Sequence, residues 1–439
     1  MKIKALTRLF FFGVLLISTA LFAQSGPVRD VRGRLTEKSS FEPTKIGVEE
    51  VRYVGINYIT AADSLIMREC GAILRKDLDF SPYFEIVLVD SFFMRHMELQ
   101  EMTLLGWKWL GSAYVVRLEA EFPGDNVRLR YRLFAADSEK EIHKEKFETN
   151  KIYYRALVHE MADDIVKFLT GDQGIFRCKI AYIKHVRGNK ELFISDYDGF
   201  DERQLTNNKA INISPTFSPD GEYIFFTSYV DGFPKIYMLT ISDNSMNLIA
   251  GYPGINAAPA VSPDGKQIAC VLSKDGNSEI YTLDRKGKII KRLTYSWAIE
   301  SSPTWSPDGK EIAFTSDRTG SPQIYVMDAE GLNVRRLTFE GKYNDSPCWS
   351  PRGDRISYIS RDRIFKIYSV DINGRDLRVL AEIGDNENPH FSPDGNHIIF
   401  SSTRWGQSDL YMMDLFGRKQ QRITTEGGYS NPVWSPLRK

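Results

Sequence analysis

Apolar and polar positions alternate in short runs from Ile175 onward, and sets of four such runs recur at a nearly constant interval. The fullest copy reads SPTWSPDGKEIAFTSDRTGSPQIYVMDAEGLNVRRLT, from Ser302 to Thr338. Its first run carries Trp305 and ends in Pro-Asp-Gly, where proline presets φ and glycine accepts the left-handed conformation of a tight turn. The second run, 312–314, follows at once. The third, Ile324-Tyr325-Val326-Met327, has the period of two of a strand packed on both faces. An Asp-x-x-Gly turn then leads to Arg336-Leu337-Thr338 as a fourth, outer run. Ser-Pro pairs begin at Ser218, Ser262, Ser306, Ser350, Ser392 and Ser435, spaced by 44, 44, 44, 42 and 43 residues. That is the period of a propeller blade.

The two ends of the array complement each other. The first copy, near Ile175, has a second strand but no preceding first strand, and the last, 432–436, is a first strand with nothing after it. The reading is therefore an all-β six-bladed β-propeller of WD40-like (PD40) repeats, closed by strand exchange between its two ends.

The pattern before the repeat is mixed, and predicts an α+β N-terminal domain. A strand at 53–58 leads to a helix capped near Asp63 and running to about Asp77, with Leu65, Ile66, Ile73 and Leu74 on one face. A β unit at 85–89 and a helix over 91–105 follow. Strands are then expected at 114–122, 127–135 and 142–148, and a helix at 153–169 that Thr170-Gly171 ends. Charge and turn residues between 24 and 50 suggest a mobile N-terminal arm. The expected division is a signal peptide at 1–23, the arm at 24–50, the α/β domain at 51–172 and the propeller at 173–439.

The signal rests on Lys2, Lys4 and Arg8 ahead of an apolar run at 9–16 and small residues at Ala20 and Ala23. Cleavage is expected after Ala23, with Ala20 as a second site, so the chain is exported. No later run is apolar for long enough to span a bilayer. Lys plus Arg and Asp plus Glu both number 57, so no global attraction to nucleic acid or anionic lipid is expected. Cys70, Cys178, Cys270 and Cys348 stand singly. They read as small buried residues rather than zinc ligands or disulfide partners.

Candidate chemistry is sparse. There is no G-x-S-x-G nucleophile elbow of the kind carried by propeller peptidases. His159 shares a helix face with Arg155 and Asp163, which suggests a polar cluster near the domain junction. His390 and His397 are the residues on which a secreted propeller lyase or hydrolase acting on polysaccharide would rest, as the alternative reading. Asp196-Tyr197-Asp198-Gly199 looks like half a calcium loop, but its counterparts in other repeats read as turn chemistry. No cofactor or metal is expected at an assigned site. A cation in the central channel is left open.

A binding face follows from topology. Loops entering the first strands and loops joining second to third strands share one end of the ring, opposite the Pro-Asp-Gly turns. They carry Tyr252, Tyr295, Trp297, Tyr343, Trp405 and Tyr429, with Arg318, Arg361, Arg363 and Arg404. Aromatic and arginine side chains are the types enriched at interface hot spots.

Three stretches resemble the TolB family, the soluble periplasmic component of the Tol-Pal system. RALVHEMADDIVKFLTGDQGIFRCKIAYI, from Arg155 to Ile183, is similar to the signature joining that family's two domains. Asn431-Pro432-Val433-Trp434-Ser435-Pro436 resembles its ending, and Asp77-Leu78 with Ser81 and Phe84 resembles a further motif. The likeness runs from about Tyr53 to the end, although the arm is longer than usual and Asn57-Tyr58 stands where the family carries Pro-Phe. The resemblance implies a monomeric, non-enzymatic periplasmic adaptor that serves outer-membrane integrity and cell division. Its propeller would bind the Pal lipoprotein, its N-terminal region would communicate with TolA, and other outer-membrane or peptidoglycan-associated proteins would be further partners. Asn256, Ala258, Glu300, Ser301 and Ser302 fall in loops resembling the family's Pal-contacting loops. The arm is a candidate for docking on its own domain and competing with a partner.

Overall fold

The structure, a computed structural model, describes residues 42–56, 58–89 and 103–437. The expected signal peptide, the arm up to residue 41 and most of the helix expected over 91–105 lie outside these residues. The N-terminal elements are β1 (Thr44–Val48), β2 (Arg52–Tyr53), α1 (Ala61–Phe80), β3 (Phe84–Ile86), α2 (Leu104–Trp109), β4 (Tyr114–Glu121), β5 (Asn126–Ala135), β6 (Lys140–Asn150) and α3 (Tyr154–Thr170). Their sheet runs β3-β1-β4-β5-β6, with β2 also beside β4. β1 is parallel to both neighbours, and β4, β5 and β6 form an antiparallel meander.

Alternation sets the layers. Val116, Leu118 and Ala120 of β4 join Leu74, Leu78, Met161 and Ile165 of the two long helices in one core, while Val115 meets Trp107 and Phe134 in a smaller cluster. Helix α1 begins at Thr60, whose Oγ1 accepts the Asp63 N–H at 3.1 Å, so the cap lies three residues before the one expected. Helix α3 ends at Gly171, whose φ of 76° is open to glycine at little cost. The arm and first strand need correction. Residues 44–48 lie between β3 and β4 with Ile46 fully buried, so the folded domain begins inside the expected arm. Of the strand expected at 53–58, only Arg52–Tyr53 forms. Leu65, placed on the apolar face of α1, is exposed.

The remaining strands make six four-stranded sheets. Blade 1 contains β7 (Lys179–Val186) and β8 (Asn189–Asp196), and blades 2 to 6 have inner strands at Asn212–Phe217, Asn256–Val261, Glu300–Trp305, Asn344–Trp349 and Asn386–Phe391. Blade 1 takes its inner strand from Tyr429–Trp434, where Trp434 pairs with Ile180 and Tyr429 with Lys184. The Ser-Pro-Asp-Gly signature is a turn device. In blade 4, Ser306 Oγ donates to Asp308 Oδ1 at 2.7 Å and accepts the Glu311 N–H at 2.9 Å, while Gly309 takes φ 70°. The same bonds recur at Ser218 and Ser262.

The N-terminal domain sits on the turn end of blades 6 and 1. Phe80 stacks on His397 with ring centroids 4.3 Å apart, Asn396 Nδ2 donates to Tyr83 Oη at 3.1 Å, and Lys419 Nζ donates to the Asp79 carbonyl at 2.9 Å. From blade 1, Tyr197 donates to Asp77 and Asp198 accepts from Arg155 at 2.6 Å. One apolar core runs through α1 and α3 to Ile180, Tyr182, Leu410, Met412 and Trp434.

Trp434 is almost fully buried at the closure. Trp434→Ala is expected to cost about 3 to 5 kcal/mol in urea unfolding. A loss below about 1 kcal/mol would mean that the terminal strand does not seal the ring.

Candidate partner-binding face

With the N-terminal domain on the turn end, none of the described residues outside the propeller covers the opposite end of the ring. Tyr295, Trp297 and Trp405 stand there 77%, 80% and 73% exposed. Arg361 and Arg363 are exposed as well, Arg361 lying 5.0 Å from the centroid of the Phe365 ring. Arg292 lies over Tyr295, its guanidinium 4.5 Å from the ring centroid. Tyr252 and Tyr343 are half-buried. Tyr252 Oη donates to the Gly287 carbonyl at 2.8 Å, and Tyr343 Oη donates to Asp345 at 3.0 Å. Burial, and then the Asp345 charge, push the Tyr343 phenol up to about 12.

Three expected contact residues are not at the surface. Asn256 is fully buried: its Nδ2 donates to the carbonyls of Tyr252 at 2.7 Å and Gly254 at 3.1 Å, and reaches Pro234 of the preceding blade at 3.4 Å. It is a staple for the loop that enters the inner strand. Asn212, Asn344 and Asn386 occupy the same position in their blades and are equally buried. Glu300 holds that position in blade 4 at 0% exposure and accepts from Arg318 at 3.0 Å and Ser316 at 3.1 Å. Burial raises its pKa against the lowering effect of Arg318. Tyr429 is the counterpart in blade 1, buried against Tyr182 under Lys184. The loops reach the surface, but the residue that anchors each one cannot.

Arg318 and Arg404 are shared between structure and surface. Arg318 spans Glu300 and the face of Tyr325, and Arg404 donates to Asn386 Oδ1 at 3.2 Å while lying 4.4 Å from the Tyr411 centroid. Ala258, Ser301 and Ser302 are half-buried. Ala258 and Ser302 have φ near +50°, as do Ser214, Ser346, Asn388 and Asn431, each just before a proline. Every inner strand carries this bulge, and the six together line a central channel of about 180 Å³. A strain present in all blades belongs to the ring and marks no single ligand.

Residue-type reasoning missed Phe339, which is 71% exposed. The clue was available: Phe339 follows Leu337-Thr338 as Tyr295 follows Leu293-Thr294, and Arg336 covers it as Arg292 covers Tyr295. Phe233, Ile299 and Ile383 are also exposed in these loops.

The histidines proposed for an enzyme are not brought together. His390 lines the channel, where burial lowers its pKa to about 4, whereas His397 lies in the domain contact. A depression of about 920 Å³ opens elsewhere, among the turns of blades 1 to 3 near Pro219, Pro263 and Arg285.

Replacing Glu300 by Ala should therefore act on stability. We expect a loss of about 2 kcal/mol in chemical denaturation, since Arg318 and Ser316 lose their acceptor. An unchanged midpoint would place Glu300 back on the contact surface.

The family described as TolB beta propeller domain matches residues 166–438. Among curated relatives, the Tol-Pal system protein TolB of Desulfosudis oleivorans is 36% identical over 181 residues, covering 40% of this chain and 41% of that protein. Its counterpart in Geobacter sulfurreducens is 40% identical over 162 residues, 37% of this chain and 38% of that protein. The Cereibacter sphaeroides protein of the same name is 31% identical over 239 residues, 53% and 52% of the two chains. The chain thus spans about two fifths to one half of the length of these curated relatives. Among solved structures, TolB from Acinetobacter baumannii superposes with a TM-score of 0.77 at 27% identity, over 90% of this chain and 98% of that one.

Proposed function

The chain belongs to the TolB family, matched through its propeller over residues 166–438, and on that premise we propose that it is a periplasmic, non-enzymatic adaptor of a Tol-Pal system. In this reading the uncovered propeller face captures the Pal lipoprotein, and the N-terminal domain with the segment before it communicates with TolA. The adaptor acts as a monomer after export and supports outer-membrane integrity and constriction at division. No helix among the described residues is long and apolar enough to cross a membrane.

One observation carries the reading. The N-terminal domain occupies the turn end of blades 6 and 1, while Tyr295, Trp297 and Trp405 protrude from the other end. Two partners could then be engaged without competing for one surface. Large aromatic side chains supply contact area at little entropic cost, and arginines at the same rim supply charge-assisted hydrogen bonds. On these grounds Trp297, Tyr295, Trp405, Arg361 and Arg363 are the proposed contacts. Tyr252, Tyr343, Arg318, Arg404, Ala258, Ser301 and Ser302 support them from beneath.

Trp297→Ala is expected to weaken binding of the soluble Pal domain at least about tenfold in calorimetry, or roughly 1.4 kcal/mol, with an unchanged melting temperature. Equal affinity for both proteins would move the contact away from this face.

A further inference from the structure

Two histidines, each 2% exposed, lie in the contact between the N-terminal domain and the propeller. Each leaves one ring nitrogen facing carboxylate with no hydrogen-bond partner. His159 of α3 uses Nδ1 on Asp77 Oδ2 at 2.7 Å, and Asp77 also accepts from Tyr197 of blade 1. Its ring, Asp196 and Asp198 bring ligand-capable atoms within 4.8 Å of one another, while Nε2 is unpartnered. His397 of blade 6 uses Nε2 on the Phe80 carbonyl at 3.0 Å. Its Nδ1 is 3.9 Å from Asp394 Oδ2 and is likewise unpartnered.

The acceptors decide the tautomers. A carboxylate and a carbonyl can only accept, so a neutral His159 carries its hydrogen on Nδ1 and a neutral His397 carries it on Nε2. At His159 the remaining nitrogen then presents a lone pair beside the Asp196 and Asp198 carboxylates. A cation at that nitrogen turns this repulsion into attraction. A metal ion is the less suitable cation, because it would compete with the cationic side chains that already hold those carboxylates. Arg155 lies 2.6 Å and Lys76 3.8 Å from Asp198, and Lys179 lies 2.5 Å from Asp196. A divalent ion would have to expel these groups, whereas a proton needs only the one nitrogen.

We propose that protonation of His159 clasps the two domains together, so that their docking tightens as pH falls and loosens as pH rises through neutrality. Burial alone would lower the His159 pKa, but the charge and hydrogen bond of Asp77, and then the charge of Asp198, outweigh it and raise it above the usual imidazole value. A group with a raised folded-state pKa gives stability that is complete below its unfolded value, about 6.5, and lost as pH climbs through the folded value. Asp77 and His159 titrate as a pair, and the measurable quantity is their joint proton uptake. The other charged or titratable groups around His159 are Lys76 of α1, Arg155 and Asp163 of α3, and Lys179, Asp196, Tyr197 and Asp198 of blade 1. Burial pushes the Asp163 carboxyl up to about 6, so the stability it loses as pH rises is gone before the histidine window begins.

The test uses the full chain, labelled with ¹³C,¹⁵N-histidine, titrated from pH 5.5 to 8.5 by NMR, with thermal unfolding over the same range. A doubly protonated His159 ring at pH 6.5 is expected, with a melting temperature that falls as it loses the proton. The docking constant should change by up to tenfold per pH unit for each proton. His159→Gln should flatten that fall. If it fails to fold, Asp198→Asn keeps the ring and should shift its titration to lower pH. A His159 ring that is singly protonated at pH 6, or a slope unchanged in the variant, would overturn the proposal. So would zinc at pH 7.5 raising the melting temperature as acidification does, with the rise abolished by Asp196→Asn, because the cation would then be a metal.

Discussion

A ring of sheets is stable only if its last sheet is completed, since an unpaired inner strand would leave a row of buried backbone donors and acceptors unsatisfied. Here that condition is met by pairing Tyr429–Trp434 with Lys179–Val186, across about 250 residues of sequence. The rest of the architecture is arranged around this join. Blade 1 and blade 6 flank it, the N-terminal domain rests on the turns of those two blades, and one apolar core continues from the domain's helices to Trp434.

Much of the propeller was legible because its turns are local. Ser-Pro-Asp-Gly encodes a hydrogen-bonded hairpin within six residues, and no distant contact is needed to read it. The mismatched ends of the array likewise disclosed the closure by simple counting. The opening of the N-terminal sheet was less readable. Thr44–Val48 has only two apolar side chains of any size, Ile46 and Val48, between polar flanks, and its identity as a central strand comes from β3 and β4 on either side. The cap at Thr60 was passed over for Asp63 because both residue types suit that role. Asp63 stands instead where its backbone N–H is received.

The end of the ring that carries the expected contacts was legible, but which of those residues reach solvent was not. Aromatic and polar residues in loops at one end were taken together as surface, yet Asn256, Glu300 and Tyr429 share a position where the chain turns inward. A polar residue there is buried because its side chain closes the loop above it. The clue lay in register: Asn212, Asn256, Glu300, Asn344 and Asn386 each stand six residues ahead of a Ser-Pro pair. A polar residue repeated at one strand position has a structural duty in every blade, whereas Trp297 and Trp405 have no such counterparts and stand free of it. The two ends of the ring thus differ in kind, one spent on internal docking and the other left open.

The placement of the N-terminal domain has a mechanical consequence. Because it grips blades 6 and 1 together, it bridges the seam where the two ends of the array meet, and a pull that lifted the domain would load that seam. Long-separation pairings form late and reform slowly. A disc opened at this seam would reclose far more slowly than a domain that had merely swung aside, which makes a firm seat for the domain a safeguard against unravelling under tension.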